Sequence, residues 1–247
     1  MDRMIYLAMA GAQQLLQQQA VAAHNLANAG TTGYKSETAA FRVAPVVGPG
    51  LPTRAYVLDS TTGADLTPGA VQATGRNLDV AVEGQGFFAV ESLDGTEAYT
   101  RDGGFDVSPE GQLITRDGLT VLGESGPIVV PPGSKLQIGR DGTVSATAPD
   151  ESAAVSVLGR LKLVNPAANA VLKGPDGLFR LRSGQPANAD PAVSVVAGAV
   201  ESSNVNAVAA MVDMINLARN FDMQMKLLQN ADGNEQRANQ LLAAGGG

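Results

Sequence analysis

The sequence predicts an α+β protein in which a discontinuous helical stalk carries an inserted all-β, mainly antiparallel domain. Three observations predict this fold class. Apolar residues recur at helical spacing near both ends of the 247-residue chain, they alternate with polar residues in the middle, and Asp-Gly pairs interrupt the alternating part. Because Asp-Gly tolerates the positive φ of tight hairpin turns, we expect the alternating segments to pair as antiparallel strands.

The predicted domain organisation follows from where these periodicities change. Residues 1–37 and 201–247 are expected to form a terminal helical assembly domain with coiled-coil-like helices. Residues 38–70 contain several prolines and are expected to form an extended linker or arm. Residues 71–200 are expected to form the central β-domain. If the two terminal helices pack together, the β-domain is an insertion carried on a helical stalk.

The first helix is predicted from about Asp2 to Ala29. No Asp, Glu, Lys or Arg occurs between Met4 and Tyr34, and the polar residues there are mainly Gln and Asn. Such amides can be buried when they are partnered, without the desolvation cost of a charge. We therefore expect a helix that other helices cover on most sides, the alternative being a surface helix of a monomer. One stripe steps by four and three residues, as in a coiled coil: Ala8, Ala12, Leu15, Gln19, Ala22 and Leu26.

The second helix is predicted to start near Val205, with Ser203 or Asn204 as its cap. It is expected to fade around Asp232-Gly233 and to resume as far as Ala244. Charged residues, such as Asp213 and Arg219, mark its polar face. Its apolar face is made by Val208, Met211, Ile215, Leu217, Phe221, Met225 and Leu228.

The central strands are short and are separated by turn residues. Period-two alternation is typical of half-buried strands. The predicted strands cover residues 78–82, 87–91, 97–101, 112–116, 119–122, 127–130, 135–138, 143–148, 154–164, 177–182 and 193–197.

Composition argues against several classes of function. A formal net charge of −7 at pH 7 is unfavourable for nucleic-acid binding, which needs clustered Lys and Arg. The chain has no Cys, which removes disulfides, thiolate nucleophiles and most zinc sites. One histidine, His24, leaves a single candidate for the usual general base. We therefore expect no enzyme activity, no catalytic residue, no metal and no cofactor.

The N-terminal apolar stretch raises the question of a membrane or export signal. No apolar run is long enough to span a membrane. The stretch MIYLAMAGA is a short apolar core, and Ala8-Met9-Ala10 resembles a cleavage site. Because helical periodicity continues through it, we expect no cleaved signal peptide.

Two motifs suggest ligand chemistry only weakly. In the stretch from Asp102 to Gly111, acidic residues are spaced somewhat like a calcium loop, but they do not match the EF-hand pattern. Paired hairpin turns explain that spacing. Gly84 and Gly86 resemble part of a dinucleotide loop, but no third glycine opens a helix after them.

Three ordered blocks resemble one known family. The stretch AHNLANAGTTGYKSE, residues 23–37, is similar to the N-terminal signature of bacterial flagellar axial proteins, the rod and hook family. It matches at Ala23, Asn25, Leu26, Ala27, Asn28, Thr32, Gly33, Tyr34 and Lys35. It departs at His24, where the family usually has Asn, so we expect a hydrogen-bonding role for His24. Residues 75–118 resemble the central β-domain motif of the family, and residues 201–232 resemble its C-terminal signature.

The resemblance implies a structural subunit of the flagellar basal-body rod. The first 35 residues and the chain length are most similar to proximal-rod proteins, although distal-rod and hook proteins share the framework. It further implies partners among proximal and distal rod subunits, possibly including copies of itself, and export through the flagellar type III apparatus without a cleaved signal. Such a rod would transmit torque across the periplasm. A secreted adhesin or binding module is the alternative outside the family.

The helical ends are expected to supply the assembly interface. Their apolar and amide-rich faces would order on assembly and bury against neighbouring chains. The alternative is that the same residues close a private core within one molecule. The expected interface residues are Leu15, Leu16, Asn25, Leu26, Asn28, Tyr34, Met211, Ile215, Phe221, Met225 and Leu228.

Overall fold

The computed structural model describes residues 2–45, 55–148 and 155–244. The chain divides into two compact units. A helical unit contains Met1–Ala27, Glu37–Gly63 and Asn206–Gly247, and a β-rich unit contains Asn28–Ser36 and Ala64–Val205. The fold is therefore α+β with a β-rich domain, as the sequence predicts.

Two helices dominate the helical unit. Helix α1 is Asp2–Ala27 and helix α2 is Ala207–Ala244, and the two pack against each other. Helix α1 ends two residues before the predicted position, where the amide of Thr31 donates to the Asn28 carbonyl at 3.1 Å and forms a turn. Helix α2 is capped by Asn206, whose Oδ1 accepts from the amide of Ala209 at 3.1 Å. The predicted caps, Ser203 and Asn204, lie before the true one.

Helix α2 runs without a break through Gly233, so the predicted interruption at Asp232-Gly233 is wrong. One interior glycine costs a helix only about 1 kcal/mol relative to alanine. The flanking Ala, Gln, Leu and Arg residues are good helix formers, and their propensity outweighs that cost. A glycine with no proline beside it is therefore a weak stop signal.

The range predicted to be a linker contains two strands. Strand β1 is Glu37–Pro45 and strand β2 is Ala55–Ala64, and they pair in a two-stranded sheet. β-Branched and aromatic residues in these segments favour the extended conformation that pairing requires.

The β-rich unit contains sixteen further strands in its described residues. Those in the first half are β3 Val71–Ala73, β4 Val80–Glu83, β5 Phe87–Glu91, β6 Glu97–Thr100, β7 Phe105–Val107, β8 Leu113–Thr115, β9 Thr120–Gly123 and β10 Gly126–Pro127. Those in the second half are β11 Lys135–Ile138, β12 Thr143–Thr147, β13 Val155–Arg160, β14 Leu163–Val164, β15 Val171–Lys173, β16 Phe179–Leu181, β17 Ser194–Ala197 and β18 Ala199–Glu201.

The strands of this unit form one large sheet and three small ones. The large sheet has the order β15-β16-β6-β5-β9-β8-β7, with β10 added to β9 and β14 added to β5. Strands β11, β12 and β13 form a second sheet, while β17 pairs with β4 and β18 pairs with β3. The described pairings within this unit are antiparallel, as predicted from the Asp-Gly turns.

Strand prediction succeeded for some central strands and failed for others. Strands β5 and β11 have the predicted bounds, whereas the sequence analysis missed β3, β7, β15 and β18, each of three residues. The single strand predicted for residues 154–164 is two strands, β13 and β14, and the strand predicted for residues 127–130 overlaps β10 only at Pro127. Three residues carry little alternation, and the three-residue strands β8 and β16 were found only inside longer predicted segments.

The core of the β-rich unit has two clusters, which lie on opposite faces of β5. Phe88 and Val90 belong to the larger cluster, and Phe87 and Ala89 to the smaller one. Phe88 meets the ring of Phe105 edge-on, with centroids 5.1 Å apart. Because β5 is buried on both faces, it reads in the sequence as a nearly continuous apolar run.

Candidate assembly site

The less exposed residues of α2 recur every three or four residues, whereas those of α1 form a broader band. On α1 the predicted stripe Ala8, Ala12, Leu15, Gln19, Ala22 and Leu26 is buried or half-buried, and so are Ala10, Gly11, Gln14, Gln18, Val21, Ala23 and Asn25. On α2, up to residue 231, the half-buried residues are Ala207, Ala210, Met214, Leu217, Phe221, Gln224, Leu228 and Ala231. A Cβ placed on Gly11 would lie 3.5 Å from Cδ of Gln224, so the inner faces of the two helices meet closely at that level.

The outer faces of both helices carry large apolar side chains that are more than a third exposed. On α1 these are Met9 and Leu16, and on the first turns of α2 they are Val208, Met211, Val212 and Ile215. Met223, Met225 and Leu227 continue the exposed apolar surface along α2. Single exposed apolar residues are ordinary on a protein surface, but a run of them on one helix typically marks an interaction site.

The predicted interface residues fall into three groups. Leu15, Leu26, Phe221 and Leu228 are half-buried on the inner faces of the helices. Leu16, Met211, Ile215 and Met225 are exposed on the outer faces. Asn25, Asn28 and Tyr34 lie at the end of α1 or in the segment that follows it.

At the end of α1, an asparagine side chain holds the backbone of Glu37. Asn25 Oδ1 accepts from the Glu37 amide at 2.7 Å, and its Nδ2 donates to the Glu37 carbonyl at 2.9 Å. This pair of bonds uses both ends of the amide, which no charged side chain could do. His24 Nδ1 lies 3.1 Å from Oε2 of the same Glu37, so the residue that departs from the family pattern also makes a polar contact here.

Residues 28–36, which we call the signature segment, belong to the β-rich unit. Gly33 has φ +67°, and its amide donates to the Glu201 carbonyl at 2.8 Å. A Cβ at this position would lie 2.3 Å from backbone atoms of Arg101 and Asp102. Glycine is therefore required at residue 33 both for its backbone conformation and for the close approach of a second chain segment.

Lys35 is buried in a cluster of charges. Its Nζ donates to Glu201 Oε1 at 2.6 Å and to the Thr67 carbonyl at 2.7 Å. Arg101 Nη1 donates to the other oxygen of Glu201 at 2.8 Å, and Nη2 donates to the Gly84 carbonyl at 2.6 Å. Burial lowers the pKa of Lys35, although the carboxylate of Glu201 opposes the shift. Burial also lowers the pKa of Arg101.

Asn204 ties the same segment to the end of the β-rich unit. Its Oδ1 accepts from the Ser36 amide at 2.8 Å, and its backbone amide donates to the Tyr34 carbonyl at 3.3 Å. Lys173 Nζ lies 3.8 Å from the centre of the Tyr34 ring and donates to the Lys35 carbonyl at 2.9 Å. The N-terminal, central and C-terminal sequence blocks therefore meet around residues 33–36.

Sequence analysis did not assign a role to Lys35, Arg101 or Glu201. One signal was available, because Lys35 is the first charged residue after the uncharged stretch that ends at Tyr34. Its partners could not be found from spacing, since they are 66 and 166 residues further along the chain.

Comparisons with known proteins identify the family. Residues 5–35 match the family described as flagella basal body rod protein. Residues 81–146 match the flagellar hook protein FlgE/F/G D1 domain, and residues 196–241 match the flagellar basal body rod FlgEFG protein C-terminal family. The chain is 51% identical to the flagellar basal-body rod protein FlgF of Escherichia coli (strain K12), with 98% of this chain and 99% of that protein covered. The chain belongs to the flagellar basal-body rod protein family.

Two further relatives show the breadth of this family. FlgF of Salmonella typhimurium (strain LT2) is 50% identical over 98% of this chain and 99% of its own length. The flagellar basal-body rod protein FlgG of Buchnera aphidicola subsp. Schizaphis graminum is 32% identical over 90% of this chain and 92% of its own length. Members of this family are structural components of the flagellum.

The described residues were expected to hold neither a metal site nor a membrane span. Among them, no group of three or more acidic or histidine side chains is arranged to hold a metal ion. The part of the chain that the structure describes has no helix with the length and hydrophobicity that crossing a membrane requires. The stretch from Asp102 to Gly111 contains strand β7 and most of the turn that leads to β8, and its polar residues bond locally. Asp102 Oδ1 accepts from the Gly104 amide at 3.0 Å, and Ser108 Oγ accepts from the Gln112 amide at 3.2 Å.

Proposed function

We propose that the protein is a proximal-rod subunit of the flagellar basal body, which assembles helically through α1 and α2 and transmits torque across the periplasm. The observation that carries this proposal is the exposed apolar surface on both helices of a chain from this family. Among the side chains described in the helical unit, Ala12 alone is buried. A pair of helices has too little inner surface to cover its own apolar residues, so further helices must cover them.

The spacing of the inner faces favours a coiled-coil-like stalk. Helix α2 places its less exposed residues from Ala207 to Ala231 at steps of three and four, which is the spacing of left-handed helix packing, and the half-buried band of α1 includes a stripe with the same steps. On α2 the outer residues Val208, Met211, Ile215 and Met225 follow the same steps, with Ala218 and Asp222 between. A helix with two such stripes is suited to contacts on two sides. We therefore propose that residues 1–37 and 201–247 form the assembly domain of the rod.

The rest of the chain then serves the rod in other ways. Residues 71–200 would be carried by the helical part, with residues 38–70 as the connecting arm. Contacts repeated around an open helical lattice would give a stiff tube, because each subunit would meet several neighbours. The neighbours would be proximal and distal rod proteins, and copies of this chain where the lattice allows them. Export would use the flagellar type III apparatus, with the N-terminus retained.

A charge placed on the outer face of α2 tests the proposal. Ile215→Asp should prevent rod assembly and motility, because an exposed apolar residue of a buried interface becomes a desolvated charge. The isolated variant should keep its folded β-rich unit, as measured by circular dichroism and protease resistance. Leu93→Asp is the matched control, since Leu93 is 96% exposed at a turn of the β-rich unit. Cells that make full-length rods with Ile215→Asp would contradict the proposal.

A charge on the inner face of α1 tests whether assembly needs the packing of α1 against α2. Leu26→Asp should abolish assembly by separating α1 from α2, while the β-rich unit remains folded. If this variant supports rods of normal length, the helix pair is not the assembly element. Mass spectrometry of the protein in isolated basal bodies would show whether the N-terminus is retained.

A distal-rod subunit is the second candidate, and the similarity to FlgG over 90% of the chain favours it. Complementation separates the two. The gene should restore motility to an Escherichia coli strain that lacks FlgF and fail in one that lacks FlgG. The reverse result would assign the chain to the distal rod.

A further inference from the structure

Glu201 bonds to two buried cations at once. One carboxylate faces the ammonium of Lys35 and the guanidinium of Arg101. The side chains of Lys35, Arg101 and Glu201 are 0%, 2% and 1% exposed, so water screens their charges very little. Two buried cations that share one carboxylate are stable only while that carboxylate is present.

The hydrogen bonds of the cluster are centred on the same carboxylate. Glu201 Oε1 accepts from Lys35 and also from the Gly69 amide at 2.7 Å, while Oε2 accepts from Arg101. Nε of Arg101 is buried and has no hydrogen-bond partner in the part of the chain that the structure describes. Arg101 therefore depends strongly on its bond to Glu201 and on the Gly84 carbonyl.

The three charged residues come from three distant parts of the chain. Lys35 is in the signature segment, Arg101 follows β6, and Glu201 ends β18. Strand β18 is held by pairing with β3 and by the Ser202 amide, which donates to the Ala70 carbonyl at 2.8 Å. The signature segment has no strand pairing of its own in the β-rich unit. Its docking depends on side-chain contacts and on single backbone bonds, such as that from Gly33 to Glu201.

Losing the signature segment and losing Glu201 have unequal consequences for the cluster. Without the signature segment, Glu201 and Arg101 still form a buried pair of opposite charges, and β18 keeps its pairing with β3. Without Glu201, Lys35 and Arg101 would lose the carboxylate that bonds to both, and Lys35 would keep a longer-range attraction from Asp65. The signature segment and β18 stabilise each other by the same coupling free energy. Strand β18 is nonetheless the more stable of the two, because it is also paired with β3.

We propose that Lys35, Arg101 and Glu201 form an ordered latch, in which the signature segment docks on the β-rich unit only after β18 is in place. Glu201 neutralises Arg101 first and then accepts Lys35 as a second cation. A growing chain lacks Glu201 until 166 residues after Lys35 have been added. The signature segment therefore remains undocked until the C-terminal part of the chain has arrived. This property belongs to the isolated chain and does not depend on the proposed rod function.

Backbone hydrogen exchange of the full-length chain, measured by NMR, tests this order. The Gly33 amide reports on the signature segment, the Ser202 amide on β18, and the Ala89 amide, which donates to the Lys162 carbonyl at 3.0 Å, on the core. In Lys35→Met, exchange at Gly33 should become faster while Ser202 and Ala89 stay protected. Equal acceleration at Gly33 and Ser202, or no acceleration at Gly33, would overturn the ordered latch.

Loss of the carboxylate should have a larger effect, and a second change should relieve it. Glu201→Gln should accelerate exchange at Gly33 about a hundredfold, because it leaves two buried cations. Adding Lys35→Met to Glu201→Gln should slow exchange at Gly33 again, since one cation has been removed.

Lys173→Met is the matched control, because it also removes a cation that holds the signature segment, through the Tyr34 ring and the Lys35 carbonyl. Added to Glu201→Gln, Lys173→Met should not slow exchange at Gly33. A double variant that exchanges as fast as or faster than Glu201→Gln would overturn the latch. If the Ala89 amide of Glu201→Gln also loses protection, the core of that variant is no longer folded. The exchange rates of the Gly33 and Ser202 amides in Lys35→Met then decide whether the ordered latch exists.

Discussion

Phe88 in the β-rich unit is 1% exposed, whereas Phe221 in the helical unit is only half-buried. The same contrast holds for whole elements. Strand β5 is buried on both faces, while α2 exposes Val208, Met211 and Ile215. A set of stacked sheets encloses a dry core within one chain, but two helices leave most of their surface uncovered. The contrast supports the proposal that the helical unit, unlike the β-rich unit, needs neighbouring chains to cover its apolar residues.

The largest expected effect compares these two phenylalanines directly. Phe88→Ala should lower the free energy of unfolding of the β-rich unit by about 4 kcal/mol, because it leaves a cavity beside Phe105. Phe221→Ala should cost the isolated chain about 1 kcal/mol, since a half-buried ring loses less contact. Hydrogen exchange by mass spectrometry, read separately for each unit in increasing urea, measures both. Equal losses would mean that the helical unit has a closed core of its own.

The second prediction concerns the signature segment, which follows α1 in the chain but packs as part of the β-rich unit. Gly33→Ala should destabilise the docked segment by about 3 kcal/mol, because its Cβ would overlap backbone atoms of Arg101 and Asp102. Gly75→Ala is the control for backbone conformation alone. Gly75 has φ +72° and open space around the added Cβ, so about 1 kcal/mol is expected. Thermal unfolding and hydrogen exchange of residues 28–36 measure the costs of the two substitutions. Similar costs would show that overlap with Arg101 and Asp102 adds nothing to the effect of backbone conformation.

The third prediction uses a titrating group of the β-rich core. Burial raises the pKa of Tyr99 to about 12, and its hydroxyl donates to Glu97 Oε1 at 2.9 Å. Because the tyrosine of the unfolded chain loses its proton near pH 10, the stabilisation is complete below pH 10 and is lost as pH rises toward 12. The total loss should be about 3 kcal/mol.

Urea unfolding of the β-rich unit between pH 9 and pH 12 measures this loss, and the pH range is set by the ordinary pKa of tyrosine, about 10. Tyr99→Phe is the control, since it removes the titrating hydroxyl and should flatten that part of the profile. A variant with the same pH dependence as the natural chain would show that other groups cause it.

The smallest effect is expected in α2. Gly233→Ala should stabilise the helix by about 1 kcal/mol, because residue 233 is inside a continuous helix and the added Cβ meets no atom within 4 Å. The helical circular dichroism signal should persist to a higher temperature. Gly11→Ala is a companion change, since its Cβ would contact Gln224 at an ordinary 3.5 Å. No gain at residue 233 would indicate that α2 frays before that point in solution.

Much of the fold could be predicted from periodicity. The uncharged stretch from Met4 to Tyr34 and the apolar face around Phe221 indicated the two helices, and the Asp-Gly turns indicated antiparallel pairing. The end of α2 at Ala244 was predicted, but the interruption at Asp232-Gly233 was wrong, because one glycine was given more weight than the good helix formers on either side. Short strands such as β18 were missed, because long-range pairing with β3 creates them and three residues carry no periodicity.

By itself, the sequence determined the two long helices and the antiparallel pairing of the central strands, because helix periodicity and turn residues are local properties of the chain. It also determined the family, through signature blocks that can be read in order. Tertiary structure alone decided that Leu26 faces inward while Ile215 faces outward, since both are apolar and both lie at helical spacing. It also decided that Lys35, Arg101 and Glu201 meet, because a charge is buried only where folding brings a counter-charge to it from elsewhere in the chain.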